Sequence, residues 1–147
     1  MIDTATKQII AKPAVTAVGA LAASPSGKFL YMSTGSAIAV LDTTQNAFSG
    51  WLPITGVTAI AFSPDGSKAY AASNTTLEVV DTSTGQVTGS FSLGASKASA
   101  VSVTPDGSQI WVALADSTSV AVIATQTGTL QTVDFGATVS GVAFGVH

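Results

Sequence analysis

Ala61-Phe62-Ser63-Pro64-Asp65-Gly66 decides how this chain is read, because it recurs. Ala22-Ala23-Ser24-Pro25-Ser26-Gly27 precedes it by 39 residues, and Ser102-Val103-Thr104-Pro105-Asp106-Gly107 follows it by 41. The last four residues of each are a tight turn: Pro presets φ, the hydroxyl or carboxylate bonds the backbone, and Gly closes the turn. An apolar stretch follows each turn, with an aromatic in register at Tyr31, Tyr70 and Trp111. A second landmark trails each aromatic: Leu41-Asp42-Thr43, Val80-Asp81-Thr82 and Ile123-Ala124-Thr125, at spacings of 39 and 43 residues.

The central unit shows what each repeat contains. Val57-Thr58-Ala59-Ile60-Ala61-Phe62 reads as a strand of small and apolar residues, suited to crowding around a central axis. Lys68-Ala69-Tyr70-Ala71-Ala72, Thr76-Leu77-Glu78-Val79-Val80 and Gln86-Val87-Thr88-Gly89-Ser90-Phe91 read as three further strands. Asp81-Thr82-Ser83-Thr84-Gly85 is a turn whose carboxylate caps backbone N–H groups. No sustained helical period is present. Four short strands in a unit of about 40–50 residues is the pattern of a propeller blade. The expected fold is therefore all-β: a β-propeller of four-stranded antiparallel blades, spanning residues 1–147 as one partial domain. Blades are expected at about 18–55, 56–94 and 100–136. Residues 2–12 are expected as the outer strand of one partial blade and residues 138–144 as the inner strand of another. In the third blade Ala124 takes the place of the turn Asp, so that turn is expected to be less well held.

Closed propellers carry about 4–8 blades. An arc of three exposes apolar blade faces and unpaired strand edges, and both invite a partner. The ring is expected to be completed by another chain or a further segment, with Ile9, Ile10, Val139, Val142 and Phe144 as assembly edges.

Composition excludes several functions. Only 9% of residues are charged and 46% are hydrophobic, so the surface is weakly charged and suits protein contact or an extracytoplasmic setting. Arg is absent and the five Lys are scattered, which leaves no basic stripe for nucleic acid. There is no Cys, hence no disulfide or thiolate chemistry. No signal peptide pattern and no apolar run long enough for a transmembrane helix is read in the sequence.

Here the pattern resembles the YVTN-type β-propeller repeat, whose units run V-A-x-S-P-D-G, Y-V-A-N and V-x-V-I-D-T-x-T. The matching residues are Ala61 to Gly66, Tyr70 to Asn74 with one inserted Ala, and Val79 to Thr84. The resemblance covers nearly the whole chain. It implies an extracytoplasmic or surface protein, often with a seven-bladed ring. Some relatives are quinoprotein, haem or copper redox enzymes or lactonases, but none of their metal- or cofactor-binding motifs stands in this sequence.

Catalytic chemistry finds little to work with. The one imidazole is the terminal His147, where fixed geometry is not expected. Zinc, copper and haem lack donors, and no P-loop, EF-hand or dinucleotide fingerprint occurs, so no metal or cofactor is expected. The carboxylates mostly repeat with the blade and read as turn formers, Asp116 in the longest irregular loop being the exception. Asn74-Thr75-Thr76 is a glycosylation sequon of the short kind that arises by chance. Trp111 is expected in the core between blades; Trp51 is expected at the start of an outer strand near Phe48, packed at its edge, with an exposed contact of an assembly or sugar-binding surface as the alternative.

The expected function is a non-enzymatic scaffold or protein-interaction subunit that assembles with further blades in trans. Its partners are other copies of itself or the rest of a larger propeller, with a protein or glycan ligand. The loops between second and third strands are the candidate contact surface: Thr34, Ser36, Asn74, Thr75, Asp116 and Ser117. A carbohydrate-binding, lectin-like propeller is the first alternative. An inert part or accessory subunit of a larger redox or lactonase-type propeller enzyme is the second.

Overall fold

Among the residues described by the structure, a computed structural model, are 5, 6, 8, 14, 15, 18–115 and 117–144. They form three four-stranded antiparallel sheets in sequence order, each a meander. The first holds β1 (Leu21–Ala23), β2 (Phe29–Ser33), β3 (Ile38–Asp42) and β4 (Ala47–Leu52). β5 (Val57–Phe62), β6 (Lys68–Ser73), β7 (Thr76–Asp81) and β8 (Gln86–Ser92) form the second. The third holds β9 (Ala98–Val103), β10 (Gln109–Leu114), β11 (Ser119–Ala124) and β12 (Leu130–Asp134). The sheets are the blades of a β-propeller, and they do not close into a ring.

The strands alternate between two faces, and both faces of the middle sheet are covered. Ala69, Ala71 and Val80 face the first sheet, where Tyr31, Ile38, Val40, Leu52 and Ile54 complete a core. Tyr70, Ala72, Leu77 and Val79 face the third, against Ile110, Val112, Leu114, Ala121 and Ile123. The hydrophobic core therefore lies between blades rather than within one. This is the usual consequence of a two-faced sheet whose strands alternate in side-chain direction. Small residues on β6 let the sheets approach closely, since Ala69, Ala71 and Ala72 are essentially inaccessible.

The turns also lock blade to blade. Gly66 and Gly107 adopt φ of 73° and 71°, a region that disfavours side chains. A Cβ at Gly66 would lie 3.4 Å from Pro25, and one at Gly107 would lie 3.3 Å from Pro64. Thus the Pro of each turn packs on the Gly of the next. Within a blade, Thr43, Thr82 and Thr125 donate their hydroxyls to the carbonyls of Gly27, Gly66 and Gly107, at 2.7, 2.6 and 2.8 Å. These bonds tie the third-to-fourth strand turn to the first-to-second.

Several local expectations change. The first strand starts at Leu21, although Gly19 and Ala20 still exchange backbone bonds with Ser33, each 2.9 Å. β9 starts two residues earlier than residue 100, at Ala98. Trp51 lies near the end of the outer strand β4, not at its start, and it is largely exposed, with its ring against Phe48 of the same strand. Residues 139–144 are not in a strand, because no neighbouring strand pairs with them among the described residues. Ile9, Ile10 and most of the expected outer strand at 2–12 lie outside the described residues, as do Asp116 and His147.

Candidate interaction surface

The loops between second and third strands serve a structural need first. Gly35 and Asn74 both take left-handed backbone, with φ of 84° and 51°, which reverses the chain in few residues. Asn tolerates that region better than most side chains. The carbonyls they carry reach the next blade. Gly56 N–H donates to the Gly35 carbonyl at 3.0 Å, and Ala98 N–H to the Asn74 carbonyl at 3.0 Å. Val139 N–H donates to the Ser117 carbonyl at 3.3 Å. Of the expected contact residues, Thr34 is half-buried and donates its hydroxyl to the Ala37 carbonyl at 3.1 Å. Ser36 and Asn74 are exposed, while Thr75 and Ser117 are half-buried.

These residues do not converge on one cleft. Asn74 and Thr75 line a shallow groove of about 490 Å³ with Ile54, Thr76, Glu78 and Val87, and Thr34, Ser36 and Ser117 lie outside it. Glu78 is its one carboxylate, accepting from the Thr76 hydroxyl at 3.2 Å.

The carboxylates of the turns are held as acceptors. Hydrogen bonds from the Ser63 hydroxyl, then from the Ser67 backbone and hydroxyl, hold the Asp65 carboxyl down to about 2. The Thr104 hydroxyl, with Ser108, does the same for Asp106, also to about 2. Asp42 and Asp81 lie below the usual carboxylate range because hydroxyl donors from Thr44 and Ser83 stabilise the anion. Burial raises the phenols of Tyr31 and Tyr70. A carboxylate saturated by its own turn is a poor proton shuttle, since a general acid or base works best with a pKa near the operating pH. Among the described residues no group of three or more acidic or imidazole side chains could hold a metal ion. No helix among them is long and apolar enough to cross a membrane.

Two surfaces stand out instead. The outward face of the third blade presents Val133 and Phe135 to solvent, beside a groove of about 300 Å³ lined by Trp111, Val120, Phe135, Val142 and Phe144. Val139, Val142 and Phe144, expected as assembly edges, thus gather on that face, with the Trp111 and Phe144 rings edge to face at 5.7 Å. The second surface is a groove of about 400 Å³ between β4 and the turn after β7, lined by Trp51, Ser49, Thr84 and Gln86. Trp51 stacks at 5.4 Å on Phe48, which itself packs against the cluster of Met32, Ala39 and Leu41, and 54% of the Trp51 surface is accessible. In the sequence, exposure of Trp51 is the alternative reading and edge packing the preferred one; local spacing does not decide between them, because strand phase sets the direction of the ring.

The fold and these faces define the class, a β-propeller. No family model matches the chain, and no curated protein matches it. Similar solved structures exist. Kuenenia stuttgartiensis hydrazine synthase matches with a TM-score of 0.78 at 20% identity, over 91% of this chain and 41% of that one. The Cps50 (Swd1) beta-propeller domain of Myceliophteria thermophila matches with a TM-score of 0.68 at 11% identity, over 80% of this chain and 43% of that one. The chain therefore spans less than half the length of either neighbour. At these identities the likeness establishes the fold.

Proposed function

We propose that this chain is a non-enzymatic structural and protein-interaction subunit, a propeller arc that assembles with further blades in trans. The observation that carries this reading is a break in the burial of equivalent residues. Ile54 and Leu93, two residues beyond the Leu52 and Phe91 positions of their blades, are 7% and 6% exposed. Phe135 holds the same place after β12 and is 54% exposed. Leu52 is 6% exposed, and its counterpart Val133 is 39% exposed. A face that is buried in two blades and bare in the third is built to be covered. The repeat pattern supports placing the chain among YVTN-type propellers, with the extracytoplasmic setting that goes with them. Sedimentation equilibrium tests the assembly: a defined multimer is expected, and a soluble monomer at all concentrations would refute it.

A carbohydrate-binding role is the second reading, and the exposed Trp51 on its Phe48 support favours it. An aromatic platform beside neutral hydroxyl and amide groups suits a sugar face. Glycan-array binding that disappears with Trp51→Ala would establish it. The third reading, an inert part or accessory subunit of a larger propeller enzyme, draws on the likeness to hydrazine synthase, whose matched part is a minor share of its length.

A further inference from the structure

We infer, resting on the carbohydrate-binding reading above, that the groove between the first and second blades takes one uncharged sugar ring. The Tyr31 phenol and the Gln86 amide are its hydrogen-bonding groups, and Trp51 stands at its edge.

The groove is repeated at both blade junctions and is widened at one. Tyr31 pairs with Val40 and Tyr70 with Val79, so the two phenols hold the same place in their blades. Leu52 pairs with Ile38 and Phe91 with Leu77, and each lies against a turn Gly of the next blade. A Cβ at Gly85 would come within 3.2 Å of Leu52, and one at Gly128 within 3.3 Å of Phe91. Where the residue is Phe91, the groove is about 190 Å³ and Lys68 is in its wall. Where it is Leu52, the groove is about 400 Å³ and no charged residue lines it. Two further departures from the repeat fall at this same junction. Trp51 stands opposite Ala39, where Ser90 stands opposite Glu78. Gln86 follows Gly85, where Thr129 follows Gly128. A shorter apolar residue, an aromatic and an amide, from separate positions, thus border one groove.

The fold leaves two polar groups of this groove uncommitted. The hydroxyls of Ser49, Thr82 and Ser83 are donated to the Val40 carbonyl, the Gly66 carbonyl and the Asp81 carboxylate. The Thr84 hydroxyl accepts from the Gln86 backbone N–H. The Tyr31 hydroxyl and the Gln86 side-chain amide bond no described residue. Tyr31 is only 3% exposed, yet among the described residues no enclosed side-chain oxygen or nitrogen lacks a partner. Its phenol oxygen is therefore part of what stays accessible, in the groove that Tyr31 lines. Burial, and after it the charge of Asp81, raises this phenol and keeps it a donor. The amide both donates and accepts. An ion would lose its hydration here with no opposite charge in the walls. Phe29, Val40, Leu52 and Pro53 make up the apolar lining, and Trp51, backed by Phe48, adds accessible aromatic surface. A ring with C–H groups on its face and neutral hydroxyls around its edge meets these demands together.

The test titrates the full chain with the neutral disaccharides cellobiose, lactose, maltose and chitobiose, read by saturation-transfer NMR and then by calorimetry. Tyr31→Phe removes one oxygen and keeps the ring that packs on Phe62. Tyr70→Phe makes the same change at the junction that Phe91 narrows. Binding of at least one disaccharide is expected, weakened about two- to tenfold by Tyr31→Phe, the worth of one hydrogen bond, and unchanged by Tyr70→Phe. Binding that survives Tyr31→Phe would overturn this site, and its loss with Trp51→Ala would still leave the carbohydrate reading standing. Equal weakening by both Phe variants would also overturn the site, because the effect would then belong to the junctions in general. Binding of none of the four would overturn the site and the carbohydrate reading together. Should Tyr31→Phe fail to fold, Gln86→Ala, at an exposed position, carries the same criterion.

Discussion

Asp65 and Asp106 each accept from hydroxyls at 2.6 Å and from a backbone N–H at 3.0 Å within their own turns. Their folded pKa of about 2 lies below the unfolded value of about 3.9. A depressed carboxyl contributes stability that is present above its unfolded pKa and is lost as pH falls through the folded one. The melting temperature is therefore expected to fall between about pH 4 and pH 2, and Asp65→Asn with Asp106→Asn should flatten that part of the profile in a calorimetric pH series. The turn glycines allow a sharper comparison. Gly27 and Gly107 share a φ of 71°, but a Cβ at Gly27 meets nothing within 4 Å while one at Gly107 meets Pro64. Gly27→Ala should cost the left-handed penalty of about 1–2 kcal/mol. Gly107→Ala should cost more, because Pro64 must also move, and urea denaturation of the two variants measures the difference. The sequence made the turns plain through Pro and Gly; it carried no sign that the Pro of one turn rests on the Gly of the next.

At the scale of the element, the third blade lacks one device that the others share. Asp42 and Asp81 each accept two backbone N–H bonds in the turn that follows, from Thr44 and Gln45 and from Ser83 and Thr84. Ala124 accepts none with its side chain, and its turn is held by Thr125 and by the Gly128 N–H on the Ala124 carbonyl at 2.8 Å. Ala124→Asp is expected to stabilise the chain by about 0.5–1.5 kcal/mol, the net worth of an added hydrogen bond, read from the urea midpoint. The third and fourth strands of the first two blades carry a further device, a bulge at Ser49 and Thr88. There each hydroxyl donates back across the strand pair, to the Val40 and Val79 carbonyls at 3.3 and 3.2 Å. Strand identity was legible because alternating apolar positions bounded by turn residues have few other structures to adopt. Strand ends were less so: the ladder starts wherever a partner's backbone reaches, which put β9 at Ala98 and left residues 139–144 out of any strand.

At the scale of the whole molecule, stability is a sum of junctions. Leu77 is fully buried in the core shared by the second and third blades. Leu77→Ala should cost about 2–5 kcal/mol and loosen both sheets together in hydrogen exchange, since neither blade owns that core. Truncating an uncovered residue should behave oppositely. Phe135→Ser is expected to change the melting temperature of the isolated chain little, while weakening any multimer seen by sedimentation. Loss of fold in that variant would mean that the face is already covered by the chain itself.

The candidate surfaces divide along the same lines. Thr34, Ser36, Asn74, Thr75 and Ser117 were found as loop residues because short polar breaks rich in Ser, Thr, Asn, Asp or Gly between apolar strands mark loops. The role of the Gly35, Asn74 and Ser117 carbonyls as acceptors for the segment that follows depends on which neighbour stands opposite, and the local sequence does not encode that. From the sequence alone came the repeat, the four strands per unit, the turns and the weak surface charge, because each follows from short-range spacing and residue type. Only the tertiary structure decided which copies of an equivalent apolar position are covered. Ile54, Leu93 and Phe135 are alike in the sequence pattern, and they differ because burial belongs to the neighbour and not to the residue.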